Sequence, residues 1–305
     1  MNPTLTEGKL VIGGPALHDD IELDAFLATH FYASMYLRAE MLRTRDRSHF
    51  AVGRVDGRIA AVAVQVTSGM VLLQAPVGAA AVARAVLMNT KRRLAGFFGA
   101  IDQVSAARKG LALDQIAFAK DTHEDLFSLP LNALLAPSLL ATGTVRCRVA
   151  AARDFDLLVA WRADFRKAVM KDGDDARLPE ASRSDIEALM STNSLFILEA
   201  DEPLACCSFN ARLPDAVNIG NVWTPEHLRG KGYARSVVAG ALALSVNDGV
   251  RTAVLATGRE NLPAQAAYRS LGFKLVGDYA TAVIAPHTPL PHCMLNSARK
   301  HVSKA

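Results

Sequence analysis

Apolar residues recur along this chain in two rhythms, and the switches between them mark its elements. The pattern is clearest from about residue 145. Val145 to Val149 alternate as a short strand, and Phe155, Leu158, Val159 and Trp161 line one stripe of a helix. Ser182 or Ser184, ahead of Asp185, Ile186, Leu189 and Met190, starts a second helix that Ser191 to Asn193 close. Three strands are then predicted, 195–200, 204–213 and 217–224. The turns Asp201-Glu202-Pro203 and Pro214-Asp215 make them an antiparallel meander. After Pro225 the spacing turns helical, with Val237, Val238, Ala241, Leu242 and Ser245 on one face and Asn247-Asp248-Gly249 as the stop. Residues 251–257 read as a buried strand. A strand, helix, strand unit of this length is a crossover, so the strands ending at Thr224 and Thr257 should run parallel. A helix over 263–271 and strands over 273–276 and 279–284 follow.

The first half repeats that order: a helical stripe over 21–42, strands at 50–55, 58–66 and 71–75, a helix over 79–89, a strand at 94–99, a helix over 102–109 and a strand near 126–129. A repeat of this size is a duplicated domain rather than a solenoid unit. The organisation predicted is a domain over 1–130, a linker over 131–144 containing Pro137, a second domain over 145–285, and a flexible tail over 286–305. The fold class is α/β, each domain a mixed, mainly antiparallel sheet covered by helices.

Composition narrows what such a protein does. Half the residues are apolar and 21% are charged, as in an ordinary globular chain. A net charge of +4 is too small to suggest a nucleic-acid partner. Cysteines 147, 206, 207 and 293 have neither metal-site nor disulfide-framework spacing, and Cys206 and Cys207 read as small apolar residues on a strand. The N-terminus has no signal-peptide pattern and no run of 18 uncharged apolar residues occurs, so no membrane partner and a cytoplasmic location are expected. His123-Glu124-Asp125 reads as a solvated turn without further ligands at metal spacing, and no metal is expected.

The segment that carries chemistry is Arg229-Gly230-Lys231-Gly232-Tyr233-Ala234, between the strand ending Val222-Trp223-Thr224 and a helix. Gly230 and Gly232 let the backbone turn and a ligand approach, and the unpaired N–H groups of the helix start suit a pyrophosphate. Lys231 and Arg235 flank the turn, and seven Lys or Arg stand against three Asp or Glu between Glu226 and Lys274. One strand later come Asn261, Ala264, Ala267, Tyr268 and Gly272-Phe273. Together these two segments resemble the GNAT superfamily of N-acetyltransferases over about residues 145–285. The whole chain is similar to tandem GNAT proteins, two GNAT-like domains of which the N-terminal copy is degenerate.

The resemblance implies an acyl-CoA-dependent N-acyltransferase with acetyl-CoA as donor and a small-molecule or protein amine as acceptor. Backbone amides from Gly230 through Lys231, Gly232, Tyr233 and Ala234 to Arg235 would hold the CoA pyrophosphate. Main-chain groups of Val222, Trp223 and Thr224 would pair with the pantetheine arm, Asn261 would bond to it, and Tyr268 would protonate the departing thiolate. For a general base the sequence offers Glu199 and Glu226. Asn210, Arg212, Asn218 and Asn221 are candidates for an acceptor pocket, with acceptor choice also expected from 171–181 and the first half's surface. The first half carries Leu73-Gln74-Ala75-Pro76-Val77-Gly78-Ala79-Ala80 at the loop, with one glycine and no basic residue. Matched on Gly110 it has Ala106 where the second half has Tyr268. It is expected to support the catalytic half or shape its acceptor cleft. A second reading stays open: a catalytically silent acyl-CoA-binding regulatory or scaffold protein.

Overall fold

The computed structural model describes residues 9–16, 19–170 and 177–291. They form two compact units, and neither is a continuous half of the chain. The first takes the residues up to His123 and again those from Asp278 onward, and the second is Glu124–Gly277. The sequence instead places the first boundary within 131–144 and the second at 285.

The first unit begins with β1 (Leu10–Gly13), α1 (Asp20–Thr29) and α2 (Met35–Arg43). The single helix expected over 21–42 is broken by a turn at 30–34. The hydroxyl of Tyr279 donates to the Ala33 carbonyl at 3.0 Å within that turn, and Leu23, Leu27, Leu37 and Met41 still bury into one core. A meander follows of β2 (Phe50–Val55), β3 (Arg58–Gln65) and β4 (Met70–Gln74), then α3 (Ala79–Thr90), β5 (Gly96–Gly99), α4 (Ile101–Gly110) and β6 (Phe118–Pro130). β4 and β5 run parallel, as a crossover requires. The far side of β5 is paired antiparallel by Ala280 to Val283, and Ala280, Ala282 and Ile284 bury into this unit's core. That alternation is why the end of the chain belongs to the first unit. His123-Glu124-Asp125 lies within β6 rather than in a turn.

The second unit starts with the last seven residues of β6. Residues 131–144 are not a spacer between units. Leu131 sits in the core, its N–H donates to Arg251 O at 2.8 Å, and Leu135 N–H donates to Leu271 O at 3.1 Å. The short α5 (Ser138–Ala141) precedes β7 (Arg146–Val149) and α6 (Phe155–Phe165), which runs on into a π turn, Arg166–Met170. α7 is Leu178–Ser191, starting earlier than the serines suggest. Pro179 occupies its first turn, where a missing N–H costs nothing, and Ser182 Oγ bonds back to Leu178 O at 2.7 Å instead of capping. Of the expected acceptor loop, 171–176 lies outside the described residues.

The meander is β8 (Leu195–Glu199), β9 (Pro203–Arg212) and β10 (Ala216–Trp223), followed by α8 (Tyr233–Val246), β11 (Thr252–Gly258), α9 (Leu262–Ser270) and β12 (Lys274–Ile284). β7 to β10 pair antiparallel in chain order, β10 and β11 run parallel, and β11 pairs antiparallel with residues 124–130. Ser236 to Leu242 of α8 are all buried, and a side chain at Gly240 would collide with Cys147 of β7. This close approach holds α8 down on the sheet and fixes where its N-terminus points. Cys206 and Cys207 are buried on β9 as expected, and burial pushes the Cys206 thiol up to about 12 and Cys207 well up as well, so both stay protonated. Cys293 lies outside the described residues.

Candidate active site

β10 and β11 pair only from Ala216 with Thr252 to Ile219 with Leu255. Their partners explain why they then part. β11 keeps all seven residues in register with 124–130, so it runs straight. β10 follows β9 through two irregularities, between Asn218 and Ile219 and between Gly220 and Trp223. At the second, β10 advances three residues while β9 advances two, and Asn221 takes the left-handed conformation at φ +50. That is a bulge, at a residue type that tolerates positive φ. Beyond it, Asn221, Val222 and Trp223 have no β11 partner across the opening, which leaves that side of the strand open to an extended ligand, while on the other side Trp223 pairs with Cys206 and the Asn221 carbonyl accepts from the Cys206 thiol. Gly220, directly before Asn221, is a signal for this bulge that the strand reading over 217–224 passes over, since a lone glycine within a strand often marks one.

The chain then passes Thr224-Pro225 and a 3-10 turn at Glu226–Leu228 to the glycines. Gly230 and Gly232 both lie at positive φ, +80 and +83, and Gly232 is the N-cap of α8. No backbone hydrogen bond among the described residues takes up the amides of Gly230 to Arg235, the next amide, of Ser236, being the first to bond back into the helix. A Cβ at Gly230 would meet nothing within 4 Å, so the turn is open. Six amides at a helix N-terminus form a nest for an anion. Arg235 folds back toward the loop, its Nε 3.1 Å from where a Gly232 Cβ would stand, and that buried Nε has no partner. Lys231 is exposed beside it. Arg229 does something else: its Nε donates to the Thr224 carbonyl at 3.1 Å and its guanidinium lies 4.9 Å from the Trp223 ring centre, bracing the loop. The buried Thr224 Oγ1 and Trp223 Nε1 are also unpartnered. An orphaned amide nest next to a free strand edge fits a ligand with a pyrophosphate and an amide-bearing arm.

Asn261 caps α9, its Oδ1 accepting from Ala264 N–H at 3.3 Å, which leaves its Nδ2 for another acceptor. Tyr268 is 8% exposed and packed in the core against Phe273, ring centres 6.0 Å apart. No hydrogen bond of its hydroxyl is present among the described residues. Burial pushes the phenol above the usual tyrosine range, with the Cys207 thiol adding to it, so the proton is held. Tyr268 is thus both a core aromatic and a proton-bearing group.

The carboxylates are less obliging. Glu199 is buried, and its oxygens accept from Arg146 at 2.7 Å and Arg148 at 2.8 Å. These guanidinium groups hold its pKa below the usual range, so it is a structural anion rather than a base. Glu226 is exposed just after β10. Of the acceptor-pocket candidates, Arg212 is taken by Asp248 at 2.7 Å and Asn218 is buried, whereas Asn210 and Asn221 come together, Nδ2 of Asn221 donating to Oδ1 of Asn210 at 3.1 Å. Among the described residues no group of His, Cys, Asp or Glu could hold a metal ion.

The corresponding place in the first unit is filled. β4 and β5 pair up to Leu72 with Phe98, and a Cβ on Gly99 would stand 2.8 Å from Leu73 O, so the strands are still in contact at that point. The next free amide, Ala75 N–H, donates to the buried Oε1 of Gln103 at 2.6 Å. At the helix start, Gly78 at φ +65 has the Leu10 side chain where a Cβ would be. The helix-end geometry also shifts the expected alignment. Leu113 N–H bonds Arg108 O as Phe273 N–H bonds Tyr268 O, and Ala112 and Gly272 both take positive φ. Arg108, not Ala106, therefore stands opposite Tyr268, and in either register the phenol is missing.

Residues 157–273 match the family model described as the acetyltransferase (GNAT) family. The second unit is a GNAT acetyltransferase domain. Solved structures of similar fold extend the likeness over both units. A GCN5-related N-acetyltransferase from Sphaerobacter thermophilus is 15% identical at a TM-score of 0.54, covering 92% of this chain and 96% of its own. A GNAT-family acetyltransferase from Colwellia psychrerythraea is 15% identical at 0.52, covering 91% and 100%. A tandem GNAT protein from the clavulanic acid biosynthesis pathway is 12% identical at 0.50, covering 91% and 98%. A search of curated proteins finds no match. At these identities the neighbours establish the fold, two GNAT-like domains, and nothing about acceptor. No helix among the described residues is long and apolar enough to cross a membrane.

Proposed function

We propose that the GNAT domain transfers an acyl group, acetyl first among the candidates, from its CoA thioester to an amine, and that the protein works in the cytoplasm. The observation that carries this reading is the conjunction in one domain of a β10 end without a β11 partner at Asn221 to Trp223, the unpaired amides of Gly230 to Arg235, and the protonated Tyr268. The amides and Arg235 would hold the pyrophosphate, Val222, Trp223 and Thr224 would pair with the pantetheine arm, and Nδ2 of Asn261 would add a donor. Acyl-CoA supplies a thioester carbonyl open to attack. Backbone N–H groups at the end of β10 that face the opening toward β11 would be the donors to polarise it. A neutral amine attacks the carbonyl directly without an acyl-enzyme, the C–S bond breaks as Tyr268 gives its proton to the departing sulfur, and the proton lost from the nitrogen passes through solvent to restore Tyr268.

The test is to mix the protein with acetyl-CoA and a panel of amines, including amino acids, polyamines and a lysine peptide, while recording free thiol. Amine-dependent thiol release supports the transferase. The ion-paired state of Glu199 favours one other outcome, a domain that binds without turnover. Acetyl-CoA binding by calorimetry, with no thiol release for any amine, would establish that instead.

A further inference from the structure

The bulge that opens β10 is at a non-glycine residue, and its side chain is held from two directions. Asn221 Oδ1 accepts from Arg162 Nη1 on α6, while its Nδ2 donates to Ser208 Oγ at 2.7 Å and to Asn210 Oδ1 at 3.1 Å on β9. Ser208 Oγ in turn donates to Asn210 Oδ1 at 2.8 Å. Arg162 is itself fixed, its Nε donating to Asp185 Oδ2 on α7 at 2.8 Å, and Asp185 also accepts from Arg166 Nη1 at 2.6 Å. The Arg162 side chain is only 11% exposed. Leu158, Phe165, Ile186, Leu189 and Trp223 line a small cavity with it, and the Arg162 bonds to Asp185 and Asn221 are part-buried. Hydrogen bonds to a charged group are stronger than neutral ones, and loss of one partner leaves the other unsatisfied.

We infer that Arg162, anchored by Asp185, is a positioning residue that sets the β10 bulge through Asn221 and thereby keeps the main chain of Val222 and Trp223 turned to the CoA arm; this rests on the acyl-CoA reading above. A one-residue slip into regular pairing with β9 would reverse the faces of Val222 and Trp223. It would also remove the reason for β10 to leave β11. Burial of Trp223 with Leu158 and Trp161 opposes that slip, and the amide of Asn221 holds the residue at which it would begin.

The experiment is a double-mutant cycle with Arg162→Met and Asn221→Ala, reading acetyl-CoA affinity by calorimetry, turnover by thiol release, and amide exchange of residues 220–224 against those of α8. Each single change should weaken acetyl-CoA by about tenfold and speed exchange at 220–224 but not in α8, the scale of one or two lost buried bonds. The double variant should be no more than about threefold worse than the weaker single, because both remove the same contact. Asn221→Asp keeps an acceptor for Arg162 and should retain most of the affinity, which covers the case in which the alanine variant does not fold. Wild-type affinity in Arg162→Met, or single effects that multiply in the double, would overturn the inference. Failure of the wild-type protein to bind acetyl-CoA would overturn the functional reading and is seen in the same titrations.

Discussion

Both units place a helix led by a left-handed glycine after the third strand of a meander, Gly78 before α3 and Gly232 before α8. In the second unit the strand before that helix bulges, leaves its parallel neighbour and presents free amides. In the first, the strands stay together, Gln103 takes the amide of Ala75, and Leu10 covers the glycine. The second unit therefore leaves open the polar groups at the strand end that the proposed CoA site needs, and the first does not. In the first unit side chains of the same unit satisfy or cover the corresponding groups.

The largest effect on this contrast should come from Tyr268, whose counterpart in the first unit is Arg108. Tyr268→Phe removes the proton and little volume, so turnover should fall about 100-fold or more while acetyl-CoA affinity changes less than about twofold. Because burial raises the phenol pKa, its acid form persists as pH rises, and the wild-type alkaline limb should show no loss assignable to this group below about pH 10, the ordinary tyrosine value. Steady-state kinetics across pH measure both. An unchanged rate in the phenylalanine variant would leave Tyr268 a core residue alone.

Next come the two glycines. Gly232→Val forces a β-branched residue to φ +83 and lays methyl groups beside the amides, so acetyl-CoA should bind about 10- to 100-fold more weakly. Gly78→Ala sets a methyl against Leu10 and should lower stability by about 1–3 kcal/mol with no change in acetyl-CoA affinity. If Gly78→Ala weakened binding as Gly232→Val does, the contrast between the units would be broken. Calorimetry with thermal melts separates the outcomes.

A smaller signal is expected from opening the first unit. Leu10→Ala with Gln103→Ala uncovers Gly78 and frees Ala75 N–H, yet Pro76 offers no amide and no Arg or Lys lies in 73–80. Binding should stay at about one acetyl-CoA per chain, with loss of stability as the main effect. A second equivalent in the calorimetric titration would show that the first unit is plugged rather than lost.

Much of this contrast is legible in the residues. Gly230, Gly232 and the downstream Asn261 and Tyr268 mark the proposed site because backbone freedom, helix capping and a proton donor each need particular residue types. Pro76 and the lone Gly78 mark its absence for the same reason. What is not legible depends on distant partners. Gly220 hints at a bulge in β10, but the partner that holds Asn221 there, Arg162, is 59 positions away. The plug at Ala75 comes from a glutamine that reads as an ordinary helix residue. The division of the chain follows from Ala280 to Val283 finding an edge at Gly96 to Gly99, which alternation along 279–284 permits but cannot direct. Glu199 looks like a base in sequence because its two arginines, Arg146 and Arg148, stand on a neighbouring strand more than fifty residues earlier.

That last cluster gives the smallest expected effect and touches only the second unit. Arg148 bonds both Asp154, at 2.6 Å, and Glu199, at 2.8 Å, and so ties β7, β8 and the start of α6 together. It lowers the pKa of both carboxyls below their usual range. Unfolded values are about 3.9 and 4.3, so the stabilisation is complete above about pH 5 and is lost as pH falls through the lower folded values. Arg148→Met should therefore reduce the thermal midpoint at neutral pH and flatten its decline in acid, since the two carboxylates then lose little by being protonated. The first unit's buried Glu40 is held low by Arg43 and His49 instead and keeps its own acid response. Melts monitored by Trp161 and Trp223, the chain's two tryptophans and both in the second unit, should show the flattening. A parallel downward shift at every pH, with the acid slope intact, would mean that Arg148 packs rather than pairs.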